Sequence, residues 1–441
     1  MFRRGGGAPF FSRGGAAPHK TGKPDDWKAP MANETIFKRA RVDADGPLAD
    51  LRVRDGAFVS VGPDAGPAEG AAEVDLAGAA VLPAFIESHI HLDKAFLEER
   101  RPNLSGTLAD AIDITRELKK SVSKEDIRER SERALRLLIR HGTTRLRAQV
   151  EVDPIVGLAG MEATLELREA CAGLADIQIA VFPQEGIEQQ PGTEDLMREA
   201  MRMGGDVVGG VPYNDLNAER HLDIVFAMAA EFGCGVDLHL DFSDDPGDDR
   251  IESVARRTIE AGLQGRVAVG HLTSLGAMEG GKAARIIETI AGAGIAVMPL
   301  PATDLFLGGR GDAPPRFRSF TRVRELIGAG VNVAIASNNI RNAFTPSGRG
   351  DLLEIGLLLA HVAHMSGAAD RPLIPPLFTH NAAKALGMEE SYGIAPGCPA
   401  DFVVLDSRDW NDIIIDQPEK RYIVRRGKIV LENRRESVWR D

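Results

Sequence analysis

Runs of apolar and β-branched residues recur along the middle of the chain and alternate with segments of helical spacing. In "SKEDIRERSERALRLLIRHG", Ser123 is a predicted helix cap and Gly142 a predicted stop. Buried strands that alternate with amphipathic helices are typical of βα units on a parallel sheet. Eight such units predict a (β/α)8 TIM barrel over residues 85–389. The eight runs lie near residues 81–89, 144–150, 177–182, 206–211, 236–240, 266–270, 295–299 and 331–336.

Both ends of the chain carry a different pattern, in which short alternating segments are separated by Gly, Pro and Asp. Segments such as "ADLRVRDGAFVSVG" and "KRYIVRRGKIVLEN" predict antiparallel strands with tight turns over residues 34–84 and 390–435. Strand-rich ends that flank a barrel predict one small β-sandwich built from both ends. Residues 1–33 are rich in Gly, Pro and Arg without helical periodicity, which predicts a disordered N-terminal extension.

Composition narrows the set of partners. A formal net charge of −12 argues against nucleic acid and anionic membranes, which bind clustered Lys and Arg. The 3 cysteines form no CxxC pair, which favours a reducing compartment and a cytoplasmic location. The sequence contains no run of about 18 or more apolar residues, the length that a membrane span needs. These features favour a small-molecule substrate, with no nucleic-acid or membrane partner. We also expect a homo-oligomer.

Histidines stand at the ends of three predicted barrel strands. His89 and His91 end the first strand, His239 ends the fifth with Asp241 two residues later, and His271 ends the sixth. Residues two apart on a strand point to the same side, and the active sites of such barrels lie at these strand ends. Each histidine alone is more often an ordinary polar residue. Four at three strand ends predict a metal site.

Six motifs in this order resemble the cytosine deaminase branch of the amidohydrolase superfamily: "VLPAFIESHIHLDK", "FPQEGI", "GGDVVGGVPYND", "VDLHLDFSDD", "GHLTSL" and "IASNNIRNAFTPSGRGDLLE". The resemblance extends from about residue 34 to 435. It implies a (β/α)8 barrel with a small β-sandwich and one divalent metal, zinc or iron, at the barrel mouth.

The resemblance also implies roles by position. It implies that His89, His91 and His239 bind the metal together with the residue at Asn338, and that His271 polarises the substrate or the metal-bound water. Gln184 corresponds to a contact with a substrate amide. Around these residues we expect Asp241 to act as a catalytic proton carrier, and Lys94, Gln149, Phe242 and Asn339 to line the substrate pocket.

The chain departs from the family pattern at three of these positions. Asn338 stands where the family has a metal-binding aspartate, and Phe242 where it has a proton-shuttling glutamate. Gln149 replaces a histidine of the second strand. Neither an amide nor a phenyl ring can accept the proton. Three histidines suffice for catalytic zinc in some enzymes, so the metal can be retained with weakened affinity.

Two functions are consistent with these residues. The first is a metal-dependent amidohydrolase in which metal-bound hydroxide cleaves a C–N bond, an amide or amino group, of a cyclic nitrogen compound. The aromatic ring and neutral amides at the mouth suit an uncharged heterocycle. The alternative is a non-hydrolytic or degenerate paralogue that binds a small nitrogenous ligand with weak or no metal. The intact barrel glycines and turns argue against random decay of the site, and we favour the first function.

Overall fold

The computed structural model describes residues 34–66, 70–311 and 317–440. The predicted extension at residues 1–33 lies outside the described residues. The strands are β1 Glu34–Ala40, β2 Ala49–Arg54, β3 Ala57–Gly62, β4 Ala72–Asp75, β5 Val81–Pro83, β6 Phe85–Ile90, β7 Thr143–Glu151, β8 Asp176–Phe182, β9 Val207–Gly210, β10 Gly235–Leu240, β11 Val267–His271, β12 Ala296–Met298, β13 Phe402–Leu405, β14 Lys420–Arg425 and β15 Lys428–Glu432. The α-helices are α1 Leu108–Lys119, α2 Lys124–Arg140, α3 Ala159–Ala170, α4 Thr193–Met203, α5 Ala218–Phe232, α6 Ile251–Glu260, α7 Ser274–Ala277, α8 Gly280–Gly292, α9 Pro301–Leu307, α10 Val323–Gly328, α11 Leu352–Val362, α12 His380–Ala385 and α13 Ile413–Asp416.

Parallel strands form a nearly closed barrel. In the described part of the chain, β6 to β12 lie side by side in sequence order as one seven-stranded sheet. The eighth position is filled by the irregular segment 332–338, which bridges Val333 to Val297 on one side and Asn338 to Ile90 on the other. Backbone hydrogen bonds join it to both neighbours, including Asn338 N to His89 O at 3.1 Å and His91 N to Asn338 O at 2.9 Å. The predicted (β/α)8 barrel is confirmed.

A smaller all-β unit is built from both ends of the chain. One sheet has the order β3-β2-β1-β4, and the other has the order β15-β14-β13-β5. Their facing side chains form a separate apolar core, in which the rings of Phe37 and Phe402 meet edge to face at 4.9 Å. Strand β5 precedes the barrel and pairs antiparallel with β13, which follows it. The predicted β-sheet unit from both ends is therefore present.

The barrel helices show why the sequence folds locally as it does. Helix α2 begins where the Ser123 side chain accepts from Asp126 N at 3.2 Å, and Gly142 follows its end with a φ of 99°. Leu135 and Leu138 are fully buried on its inner face. The predicted cap and stop are both confirmed, and burial of this apolar face fixes the helix on the barrel.

An apolar cluster covers one side of the barrel mouth. It joins the inner face of α1 to side chains from α9 and from the segment after the eighth strand position, and Phe242 packs against it. Its buried members are Ala111, Ile112, Ile114, Leu307, Ala343 and Phe344.

Among the described helices, none has the length and apolar character needed to cross a membrane.

Candidate metal centre

Three buried histidines converge at the mouth of the barrel. His89 is the penultimate residue of β6 and His91 follows that strand, while His239 is the penultimate residue of β10. The Nε2 atom of His239 lies 3.0 Å from His89 Nε2 and 3.0 Å from His91 Nε2. All three side chains are at least 96% buried, given their exposures of 0%, 2% and 4%. The predicted triad therefore exists as one cluster.

The protonation of these imidazoles suits a cation. Burial lowers the pKa of His89, and it lowers the pKa of His91 and His239 well below the ordinary range, with neighbouring positive groups adding to the effect. The rings are therefore neutral near pH 7, and each can direct a nitrogen lone pair at a common point. Burying three lone pairs together is costly unless a cation occupies that point. The donor set fits a divalent ion such as zinc.

Outer contacts orient the first of these histidines. His89 Nδ1 lies 3.4 Å from Asp237 Oδ1, and Arg147 Nη1 holds the other oxygen of Asp237 at 2.7 Å. Gln149 Nε2 also lies 3.2 Å from His89 Nδ1, while Gln149 Oε1 is buried without a hydrogen-bond partner. A half-turn of this amide would place Oε1 where it can accept from Nδ1–H. Gln149 thus contacts His89, whereas its predicted substrate contact stays a prediction.

Two asparagines from the eighth strand position lie beside the triad. Asn338 has a φ of 62°, its Nδ2 donates to Thr303 Oγ1 at 3.1 Å, and its buried Oδ1 has no hydrogen-bond partner. Asn339 Nδ2 donates to the same Thr303 oxygen at 3.2 Å, and its Oδ1 accepts from Asn342 at 2.6 Å. Asn338 thus offers an uncommitted carbonyl oxygen, while both ends of the Asn339 amide are engaged.

Gln184 and Lys94 meet each other on the wall of the same mouth. Lys94 Nζ donates to Gln184 Oε1 at 2.9 Å and pairs with Glu151 Oε1 at 2.8 Å. Lys119 Nζ lies 2.9 Å from the other oxygen of Glu151 and 2.8 Å from Glu185. Burial opposes ionisation of Glu151, but the two ammonium groups lower its pKa to about 2. Lys94 donates to Oε1, and the two hydrogens of Gln184 Nε2 can be donated to a ligand.

Phe242 covers His271 on the opposite wall. The two rings stack with centroids 4.1 Å apart and planes 14° apart. Asp241, the adjacent residue, uses Oδ2 to accept from Ile251 N at 3.1 Å at the start of α6. Burial raises the pKa of the Asp241 carboxyl to about 6. The structure therefore places Asp241 at a helix end, and its predicted role as a proton carrier stays a prediction.

A buried carboxyl group lies on the same strand as the first histidines. Glu87 is completely buried, and Glu87 Oε1 accepts from Ser337 N at 2.9 Å while Oε2 contacts Ser337 Oγ. Burial raises the pKa of Glu87 from 4.5 to about 8. The folded protein therefore holds this proton more tightly than the unfolded chain does.

Glu87→Gln is expected to flatten the dependence of stability on pH. A pKa raised on folding gives a contribution that is complete below pH 4.5 and is lost as the pH rises through about 8. Glutamine keeps both contacts to Ser337 without ionising, so the variant should exceed the parent in unfolding free energy at pH 8 and above. Urea unfolding at pH 5, 7 and 9 measures the difference. Parallel pH profiles of parent and variant would contradict the assignment.

Some residues of this site escape sequence reasoning. Asp237 stands two positions before His239, so strand alternation could have revealed its inward side chain. Asp304 contacts His271 from a helix 33 residues further along the chain, and no local sequence pattern predicts this contact. No sequence pattern predicts Thr303 either, although it is the shared partner of the two asparagines.

Comparisons with known proteins agree with this geometry. A family model described as the amidohydrolase family matches residues 72–431. A pterin deaminase from Rhizobium rhizogenes strain K84 is 31% identical over 412 residues, which cover 91% of this chain and 93% of the relative. An N-isopropylammelide isopropyl amidohydrolase from Pseudomonas sp. strain ADP is 31% identical over 368 residues, 82% of this chain and 88% of the relative.

A solved structure shows the same fold in a related enzyme. The 5-methylcytosine deaminase from Klebsiella pneumoniae, liganded with 5-fluorocytosine, matches with a TM-score of 0.88 and 31% identity. The match covers 92% of this chain and 99% of that chain. The chain belongs to the amidohydrolase family. The predicted superfamily and its class, a hydrolase that acts on carbon–nitrogen bonds, are confirmed.

Proposed function

We propose that the protein is a metal-dependent hydrolase that cleaves an exocyclic or ring C–N bond of a small, uncharged cyclic nitrogen compound. The observation that carries the proposal is the convergence of three buried imidazoles, in which His239 Nε2 lies 3.0 Å from both His89 Nε2 and His91 Nε2. When bound, a divalent zinc or iron ion would supply a Lewis acid that activates water. Deaminases of pterin and 5-methylcytosine and an amidohydrolase of N-isopropylammelide support the substrate class.

The residues around the triad define what the pocket accepts. The hydrogens of Gln184 Nε2 suit a carbonyl or ring nitrogen acceptor, and Lys94 donates to the oxygen of the same amide. Phe242 contributes a flat apolar surface, and Asn338 contributes a neutral carbonyl oxygen. We propose Asn338 Oδ1 as a fourth ligand of the ion. An uncharged ring with a carbonyl next to the scissile bond satisfies these groups.

The proposal includes a departure from carboxylate chemistry. At the two positions where the resemblance places proton-accepting acids, this chain has Asn338 and Phe242. Neither can hold the proton that leaves the attacking water. Catalysis therefore requires another acceptor in the mouth, and metal affinity should be lower than in a site with an added carboxylate.

Turnover of a defined panel tests this function. The protein is stripped with a chelator, reloaded with zinc or iron(II), and assayed for release of ammonia or amine from pterin, 5-methylcytosine and N-isopropylammelide. We expect turnover of at least one ring that depends on the added metal, and none in the stripped protein. Binding of these compounds by calorimetry without turnover under any metal would favour the non-hydrolytic paralogue instead. Phe242 and Asn338, which cannot accept a proton, are the residues that favour this second function.

A further inference from the structure

A carboxylate lies directly behind the histidine of the sixth strand. Asp304 Oδ1 lies 2.7 Å from His271 Nδ1, and the other oxygen, Oδ2, accepts from Leu300 N at 3.0 Å. Asp304 is completely buried and His271 is 2% exposed. Both carboxylate oxygens therefore have a fixed partner, and the imidazole has no room to turn away.

Further contacts fix the orientation of His271. Phe242 stacks on one face of the ring, and the His271 backbone oxygen accepts from Thr321 Oγ1 at 2.8 Å. His271 has a φ of 70°, an uncommon conformation for a residue with a side chain. Its centroid lies 5.4 Å from that of His239, so the ring borders the proposed metal site. The surrounding structure thus holds an unusual backbone conformation in order to present this imidazole at the mouth.

The pairing determines which ring nitrogen carries the hydrogen. A carboxylate only accepts hydrogen bonds, so His271 Nδ1 must be the donor to Asp304. In the neutral ring, Nε2 is then left with a lone pair, and it can act as a base. A charge opposite Nδ1 also stabilises the imidazolium that forms when Nε2 takes up a proton.

Other acids near the mouth are already engaged. Asp241 Oδ2 accepts from Ile251 N, and Asp241 Oδ1 has no hydrogen-bond partner but lies 3.6 Å from Arg250 Nη1. Both oxygens of Glu151 are paired with lysines. Glu151 also has a pKa of about 2, which makes it a poor proton acceptor near neutral pH. The His271 imidazole is better arranged for this task than either carboxylate.

We propose that Asp304 is a positioning residue that holds His271 as the proton carrier in place of the acids missing at residues 242 and 338. The inference rests on the proposed function. The attacking water forms a bond from its oxygen to the substrate carbon and gives one proton to His271 Nε2. As the C–N bond breaks, the imidazolium returns that proton to the leaving nitrogen. Water is thus divided between carbon and nitrogen, and His271 ends neutral.

Asp304→Asn provides a test that does not depend on turnover. Leu300 N–H needs an acceptor, so the amide oxygen should take that place and the NH2 group should face His271. His271 Nδ1 then becomes an acceptor and its hydrogen moves to Nε2. Long-range 1H–15N correlation on protein labelled at histidine reports this tautomer, and loss of one signal set in His271→Asn assigns it. We expect Nδ1–H in the parent and Nε2–H in the variant.

Kinetics on the metal-loaded protein provide the second measurement. Asp304→Asn should lower kcat by ~10²–10⁴-fold, the usual contribution of acid–base catalysis, with KM changed only a few-fold. Asp304→Glu, which keeps the carboxylate, should recover part of the loss. Metal content and unfolding temperature of each variant control for damage to the site or the fold.

The outcomes separate the two proposals. A parent His271 that carries its hydrogen on Nε2, or an Asp304→Asn variant with unchanged kcat, would overturn the role of Asp304. If the parent turns over no compound of the panel, the proposed function fails. The tautomer measurement still decides whether Asp304 holds His271 in the base form.

Discussion

His239→Ala is expected to remove bound metal almost completely. His239 Nε2 lies 3.0 Å from both His89 Nε2 and His91 Nε2. Its loss leaves only two imidazoles to bind the ion. Losing an outer partner of a metal ligand costs ~10–100-fold in affinity, and losing a ligand should cost more. Elemental analysis of protein purified without added metal should give near one equivalent of zinc or iron in the parent and a small fraction in the variant.

Two matched variants sharpen this experiment. His361→Ala removes an exposed histidine of α11 and should leave the metal content unchanged. Asp237→Asn removes the charge behind His89 and should weaken binding by an intermediate amount. A parent that remains empty after dialysis against zinc would contradict the metal centre and favour a protein that only binds its ligand. Full metal retention in His239→Ala would place the ion elsewhere.

Phe242→Glu combined with Asn338→Asp is expected to raise metal affinity and to move activity toward deamination of pyrimidine-like rings. Asn338 Oδ1 is buried and has no hydrogen-bond partner. An aspartate at this position puts a charged oxygen ligand where the neutral amide oxygen now lies. A glutamate at 242 adds a proton carrier next to His271. Competition with a chelator of known affinity measures the first effect, and ammonia release from 5-methylcytosine measures the second.

This double variant carries a structural cost. Phe242 packs against the apolar cluster under α1, so a carboxylate there should lower the unfolding free energy by about 1–3 kcal/mol. Phe242→Gln with Asn338→Asp is the matched control, because it shares the loss of packing and lacks the proton carrier. If the double variant binds no more metal than the parent, residue 338 does not correspond to the family aspartate.

The barrel could be predicted because its pattern is repetitive. Strands β6 to β12 are short apolar runs between amphipathic helices, and the spacing of the runs carries that information. The eighth run, near 331–336, has the composition of a strand. The described structure holds it instead as an irregular segment with two bridges, and Asn338 at its end has a φ of 62°.

The histidine triad could also be predicted, but its surroundings could be predicted only in part. His89 and His91 follow the rule that residues two apart share a face, although β6 ends at Ile90, one residue before His91. For Asp241 the rule fails, because β10 ends at Leu240 and Asp241 has a φ of 45°. Asp304 contacts His271 only through the packing of α9 against the barrel, which no local pattern encodes.

The pairing of β5 with β13 has a consequence for the order of folding. Val403 lies opposite Leu82, a separation of more than 300 residues, and Arg425 contacts both Asp401 and Asp176. Contacts so distant in sequence form slowly, because the entropy of closing a long loop is lost before they contribute. During synthesis, the barrel strands leave the ribosome well before their supporting sheet is complete. The nascent chain therefore exposes the apolar partner of β13 until the last residues emerge, a stage at which chaperone binding and aggregation compete with folding.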